Sequence, residues 1–251
     1  MNNIKKIQEK LIEKNLDAVL VTDEKNQRYA TGFPFTDGAV IVARSAAWLI
    51  TDSRYIEAAT NTAACCCNVQ MFDREHSRLS LIQAALKEAG VERLGAEEEK
   101  LSHAGYLGYE KALGMELLPA QAIFSELRAS KSEEEIGYLR EAQAISEKAL
   151  AEVLRIIKPG MTELELQAEL IYCMYKNGGT GLAFDPIVVS GPNTSLPHGV
   201  AGERVIQKGD FVTMDFGASY MGYCSDMTRT VAVGYATDEM KHVYDTVLKA
   251  Q

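Results

Sequence analysis

Gly209-Asp210-Phe211-Val212-Thr213-Met214-Asp215-Phe216-Gly217, then Ala218-Ser219-Tyr220-Met221-Gly222, then Tyr223-Cys224-Ser225-Asp226-Met227-Thr228-Arg229-Thr230-Val231-Ala232-Val233, is the stretch from which the second half of this chain is read. Two β-rich runs flank a short segment bounded by Gly217 and Gly222, the pattern of an antiparallel hairpin. A turn centred between Tyr220 and Met221 would set Asp215 directly opposite Asp226. Directly paired positions on one face of a sheet have Cβ atoms roughly 4.5–5.5 Å apart, and like charges there are destabilising. At about 4 Å the repulsion is ~1 kcal/mol in water and ~4 kcal/mol at an effective dielectric of about 20. A cation between the carboxylates, or a proton kept on one of them, would relieve it. Hard divalent ions suit carboxylate oxygens, so one reading is a metal-binding pair. The other is an exposed hairpin whose aspartates face water, with the register slipped so that they never meet. Thr228 and Thr230 share the face of Asp226 in an extended strand, where their hydroxyls are placed to hydrogen-bond a metal-binding carboxylate.

The strings Val212-Thr213-Met214-Asp215-Phe216-Gly217-Ala218 and Gly222-Tyr223-Cys224-Ser225-Asp226-Met227-Thr228-Arg229-Thr230 resemble the pita-bread metallopeptidases of the aminopeptidase P and prolidase type. In that family the two aspartates hold a dinuclear metal centre, one chelating a single ion and the other bridging both. The resemblance carries those roles to Asp215 and Asp226. It extends to Ser190-Gly191-Pro192-Asn193 and Leu196-Pro197-His198-Gly199, which is similar to the family's substrate loop. Its glycines and prolines predict a loop at the end of a strand, where functional side chains are often displayed. A lone loop histidine is usually just solvated, but the resemblance implies that His198 contacts substrate and helps to stabilise the tetrahedral intermediate. Asp185 and Asn193 are candidates for capping loops, with no chemistry assigned.

A formal net charge of -9 over 251 residues argues against nucleic acid and anionic membranes as partners. No apolar run approaches the ~20 residues that a membrane span requires. Hydrophobic content of 47% and charged content of 24% are ordinary for a globular protein, and the length suits two domains. Five cysteines, three of them consecutive at Cys65-Cys66-Cys67, show neither disulfide nor zinc spacing. They predict reduced thiols and a cytoplasmic protein.

The first half predicts alternating helices and strands, hence an α/β domain. Ile4, Ile7, Leu11 and Ile12 lie at helical spacing within Met1 to Lys14, a core-facing helix rather than a signal peptide. A buried strand follows at Asp17 to Asp23, then a turn-rich connection at Gln27 to Phe33, then a hairpin from Ala39–Ala43 and Ala47–Thr51. Asp52 or Ser53 is expected to cap the next helix. Strands at Asn68 to Phe72, Arg93 to Ala96 and Glu116 to Leu118 alternate with helices from about Ser80 and from Ser102 to Leu113. Asn26-Gln27-Arg28-Tyr29-Ala30-Thr31-Gly32-Phe33 and Thr51-Asp52-Ser53-Arg54-Tyr55 look like the N-terminal domain of creatinase, prolidase and aminopeptidase P. Simple methionine aminopeptidases lack that domain. Arg28 and Arg54 are read as structural ion-pair residues.

A boundary is expected near Ser125 to Ser132, giving an N-terminal α/β domain over residues 1–126 and an incomplete α+β pita-bread domain over 127–251. Ser132 with Glu135, and Thr162 with Glu165, form capping boxes that open two helices in series. Pro159-Gly160 and Asn177-Gly178-Gly179 close them. Thr237 to Gln251 predicts a helix with Met240, Val243, Tyr244, Val247 and Leu248 on its apolar face.

The family's metal centre takes two aspartates, one histidine and two glutamates, and the last three come from segments well after the aspartate hairpin. None of the residues after Asp226 matches those motifs, so the chain resembles the first part of a larger enzyme. Alone it is expected to be inactive, and to be poorly soluble, to associate with itself or to pair with a polypeptide supplying the remainder. For the complete enzyme the resemblance implies metal-dependent hydrolysis of a peptide bond preceding proline, as an Xaa-Pro aminopeptidase or dipeptidase. Two divalent ions are implied, manganese first with cobalt or zinc as substitutes, together with a proline-containing peptide substrate and a homodimer. A metal-free creatinase-like hydrolase is disfavoured by the presence of both Asp215 and Asp226. A catalytically dead module that binds peptides or proteins stays open.

Overall fold

The computed structural model describes residues 2–251, which divide into two compact units between Ser130 and Lys131. Residue 126 lies inside a helix of the first unit, whose Ile123 and Phe124 are fully buried there, so the chain leaves that unit only after the helix ends.

The first unit runs α1 (Ile4–Glu13), β1 (Ala18–Val21), α2 (Glu24–Thr31), β2 (Gly38–Ala43), β3 (Ala47–Thr51), α3 (Ile56–Ala63), β4 (Asn68–Met71), α4 (Arg78–Glu88), β5 (Leu94–Ala96), α5 (His103–Leu113), β6 (Leu117–Pro119) and α6 (Gln121–Ala129). Its six strands form one mixed sheet in the order β4-β3-β2-β1-β5-β6. The pleat sends Val19, Val21, Val40, Val42 and Leu49 into a core shared with α1, α3 and α6. Leu20, Ile41, Trp48 and Ile50 go to a second core under α4, with Tyr106 and Tyr109 of α5 packed against it. Both faces are therefore apolar, which is why β1, β2 and β3 read as unbroken hydrophobic runs.

Three expectations for this unit need correction. Gln27 to Phe33 is mostly helix, because the Asp23 carboxylate accepts from the Asn26 amide to start α2 and Gly32 ends it in the left-handed conformation. Neither Asp52 nor Ser53 caps α3: Asp52 instead accepts from the Arg54 amide and guanidinium, and the helix starts after Tyr55 with no side-chain cap. Ile12 is 63% exposed, so α1 buries only Ile4, Ile7 and Leu11. Arg54 forms its expected ion pairs, with Asp37 and Asp52 at 2.6 and 2.5 Å.

The second unit runs α7 (Glu133–Ile156), α8 (Glu163–Lys176), β7 (Gly181–Leu182), β8 (Ile187–Ser190), a 3-10 turn (Gly191–Ser195), β9 (Phe211–Phe216), β10 (Ala218–Tyr220), β11 (Tyr223–Cys224), β12 (Met227–Ala232) and α9 (Asp238–Ala250). Both capping boxes form as expected, with Ser132 and Thr162 accepting from the amides of Glu135 and Glu165. The strands make two small sheets, β11-β10-β7 and β12-β9-β8. Ala142, Ile145, Ala149 and Val153 of α7 and Leu166, Leu170 and Met174 of α8 are fully buried, and most of them join Val188, Val212, Met214 and Phe216 in one core. Among the described residues no helix is long and apolar enough to cross a membrane.

Candidate metal-binding face and substrate loop

Strand β9 alternates cleanly: Val212, Met214 and Phe216 are fully buried, whereas Phe211, Thr213 and Asp215 are only partly so. The inward set packs against the two helices, so the outward set is left for display.

The hairpin register differs from the expected one. Tyr220 pairs with Tyr223, which makes the connection a two-residue turn at Met221-Gly222. Both turn residues have positive φ, 48° and 77°, the requirement of the hairpin turn whose twist matches its strands. This moves the turn one residue along the chain from its expected centre. Asp215 therefore pairs with Thr228 and not with Asp226. No face-to-face repulsion arises at this pair, and the Thr228 hydroxyl donates to Asp215 Oδ1 at 2.7 Å. The Thr213 and Thr230 hydroxyls bond each other at 2.9 Å in the next outward row.

Asp226 lies just before β12, where alternation persists: Ser225 and Met227 are buried while Asp226 and Thr228 are exposed. Asp226 thus emerges on the side that carries Thr228 and Asp215. Ser225 turns inward and shares a 2.8 Å hydroxyl contact with Ser146 of α7, locking the hairpin to the helix. Gly217 opposite this point has no side chain for a clear reason: a Cβ there would sit 1.9 Å from the Ser225 carbonyl oxygen.

His198 is exposed within a turn closed by the Gly199 amide donating to the Leu196 carbonyl at 3.1 Å. A Cβ on Gly199 would lie 2.7 Å from Val189 Cγ1. Val189 pairs with Thr213, so the histidine loop rests on the outward side of the sheet, one row from Asp215.

Sequence reasoning missed what holds this loop. Glu163, fully buried at the start of α8, accepts at Oε1 from the Ser190 amide (2.7 Å), the Ser190 hydroxyl (2.8 Å) and Asn193 Nδ2 (3.1 Å). Its Oε2 accepts from the Gly202 amide at 3.1 Å. Asn193 thereby gains the loop-fixing role for which the sequence made it a candidate, and Asp185 is exposed. Arg204 donates to Ser190 Oγ and grips Asp210 through both guanidinium ends, at 2.7 and 3.1 Å. Partial burial acts to raise the Asp210 carboxyl, but the Arg204 bonds and the Gln207 amide outweigh it and hold the group below the usual aspartate range. The bond to Asp210 raises Arg204 further above its already high value. A signal for Glu163 was present, since it falls three and seven residues before Leu166 and Leu170 on the buried stripe of α8.

Asp215 and Asp226 offer hard oxygen donors with Thr228 orienting one of them, a chemistry that fits a divalent cation. Among the described residues no group of three or more His, Cys, Asp and Glu side chains gathers that could hold a metal ion.

Residues 137–251 match metallopeptidase family M24, and residues 3–130 match the creatinase/prolidase N-terminal domain. The Xaa-Pro dipeptidase of Pyrococcus horikoshii is 33% identical over 251 residues, covering 99% of this chain and 69% of the relative. An uncharacterized peptidase of Bacillus subtilis, YqhT, is 40% identical, covering 94% of this chain and 66% of the relative. The structure of an Xaa-Pro dipeptidase from Bacillus anthracis superposes with a TM-score of 0.91 at 40% identity, over 99% of this chain and 69% of that one. The chain belongs to the M24 metallopeptidases that carry a creatinase-type N-terminal domain, and its second unit has the pita-bread fold. It spans about two thirds of the length of the curated relatives it matches.

Proposed function

We propose that this chain carries part of the active site of an enzyme that hydrolyses the peptide bond preceding proline, as an Xaa-Pro dipeptidase or aminopeptidase. The observation that carries this reading is the outward placement of Asp215 and Asp226 on one hairpin, beside the loop that presents His198. Asp215 and Asp226 would hold two divalent ions, manganese before cobalt or zinc, given the preference of carboxylate sites for hard cations. Such ions supply Lewis acidity to a scissile carbonyl. Thr228 orients Asp215 through its hydrogen bond, and Thr230 braces the adjacent row through Thr213. His198, exposed at the loop turn, is the group that would donate to the developing oxyanion. The protein is read as a homodimer, and its five free cysteines suit a reducing cytoplasm.

Calorimetric titration with manganese, compared with Asp226→Asn, tests the metal role. Binding that is lost in Asp226→Asn, followed by chelator-sensitive cleavage of Xaa-Pro peptides, supports the reading. Cleavage that survives both the substitution and chelation sinks it. A second reading is favoured by the absence of a third clustered ligand among the described residues: the chain by itself binds proline-containing peptides without turnover. Peptide binding with no manganese uptake is its expected signature.

A further inference from the structure

We propose that Glu163 is a positioning residue for the His198 loop, acting as a two-ended clamp. This rests on reading His198 as the group that meets substrate. One carboxylate joins the two ends of the segment: Oε1 takes the entrance, at Ser190 and Asn193, and Oε2 takes the exit, at Gly202. The intervening residues make only short-range turns of their own, such as Leu196 to Asn193 and Gly199 to Leu196. Between the two ends Gly199 and Ala201 are buried while Leu196, Pro197, His198 and Val200 are exposed, so burial anchors the segment on its exit side and the clamp is what ties the entrance to it.

The helix reinforces the arrangement. The Glu163 amide donates to the Arg204 carbonyl and the Leu164 amide to the Gly202 carbonyl, at 3.1 and 3.2 Å. The first turn of α8 therefore binds the exit segment through its backbone while Glu163 reaches across to the entrance. The capping box fixes that turn, so the clamp is built on a rigid element. Charge matters as well as shape. All the donors facing Glu163 are N–H or O–H groups, and only a carboxylate has acceptors at both ends. Glutamine at this position would point its NH2 at donors on one side. Arg204, which donates to the same Ser190 hydroxyl, supplies the nearby positive charge.

Hydrogen–deuterium exchange of the segment 190–202, read in the whole chain for wild type, Glu163→Gln and Asn193→Ala, tests the clamp. Glu163→Gln is expected to accelerate loop exchange by about tenfold or more, with α7 and β9 unchanged, and Asn193→Ala by a smaller factor. Unchanged loop exchange in Glu163→Gln overturns the proposal, as does equal acceleration throughout the unit. Kinetics with an Xaa-Pro peptide add a readout that general destabilisation does not move. Glu163→Gln should lower kcat about tenfold with KM within about twofold, and adding it to His198→Ala should cost nothing further. Independent, multiplying losses would show that Glu163 does not act through His198 and would overturn the proposal. If the wild-type chain, which carries only part of the active site, cleaves no such peptide, loop exchange alone decides the clamp.

Discussion

Leu20 and Val21 are neighbours on β1 and both are fully buried; Met214 and Asp215 are neighbours on β9, and only Met214 is. The first pair belongs to a sheet with helices on both faces, so every position on its central strands is core. The second belongs to a strand whose inward residues pack in the core with α8 and α7, so that Thr213 and Asp215 on its other face are only partly buried. A two-sided sheet is a scaffold with little room for chemistry on its faces. A one-sided sheet can place carboxylates and hydroxyls at fixed spacing on a rigid strand. The N-terminal unit and the M24 unit differ in this respect, and the candidate site lies on the one-sided sheet.

The largest expected effects test whether the two faces of β9 differ as strongly as this. Phe216→Ala should destabilise the second unit by about 3–5 kcal/mol in urea denaturation, the cost of emptying a core site. Asp215→Ala, one residue away, should cost about 1 kcal/mol or less, the value of one hydrogen bond. Equal costs would mean that the outward face is not free. Gly217→Ala forces a Cβ towards the Ser225 carbonyl, and a loss of about 1–3 kcal/mol is expected as the hairpin shifts. Thr228→Val should leave stability within about 1 kcal/mol while weakening manganese binding about tenfold, with Thr228→Ser restoring it.

Two carboxylates, one in each unit, should also respond oppositely to acid. Burial raises the Glu97 carboxyl above its ordinary 4.5, against the pull of the Asp23 and Thr22 amides and Asn26. The folded chain then holds a proton at Glu97 more tightly than the unfolded chain, so the stability Glu97 contributes is present below 4.5 and lost as pH rises through the folded value. Asp210 is depressed below its ordinary 3.8, so the stability it contributes is present above 3.8 and lost as pH falls through the folded value. Trp48, the single tryptophan, reports the first unit by fluorescence, and exchange in β9 reports the second. Glu97→Gln and Asp210→Asn should each remove that group's own contribution to the pH dependence of its unit. The smallest effect is expected at Val247, which is 62% exposed on α9: Val247→Lys should change stability by less than about 0.5 kcal/mol. It should also reduce self-association in gel filtration if the bare apolar face of α9 drives it.

Much of this architecture was legible because its signals are local. Ser132 with Glu135 and Thr162 with Glu165 each mark a helix start within four residues. The buried runs of β1 to β3 need only their own composition to be recognised. The helix α2 was not legible, since its Asn26 and Gln27 suit a turn. Its start is held by Glu97, a carboxylate about seventy residues away that bonds the Thr22 and Asp23 amides and Asn26. The Glu163 clamp is hidden for the same reason, because its partners at Ser190 and Gly202 are distant in sequence.

The hairpin divides the two kinds of knowledge most sharply. By itself the sequence determined that Asp215 and Asp226 sit on the two arms of one hairpin and that Thr228 accompanies them, since alternation and glycine spacing are properties of the chain. Only the tertiary structure decided which residue faces which. Met221 accepts a left-handed conformation that its side chain disfavours, because inward packing of Met214, Phe216, Ser225 and Met227 against the core permits a single register. One residue of displacement at the turn replaced an opposed pair of charges with an aspartate supported by a threonine.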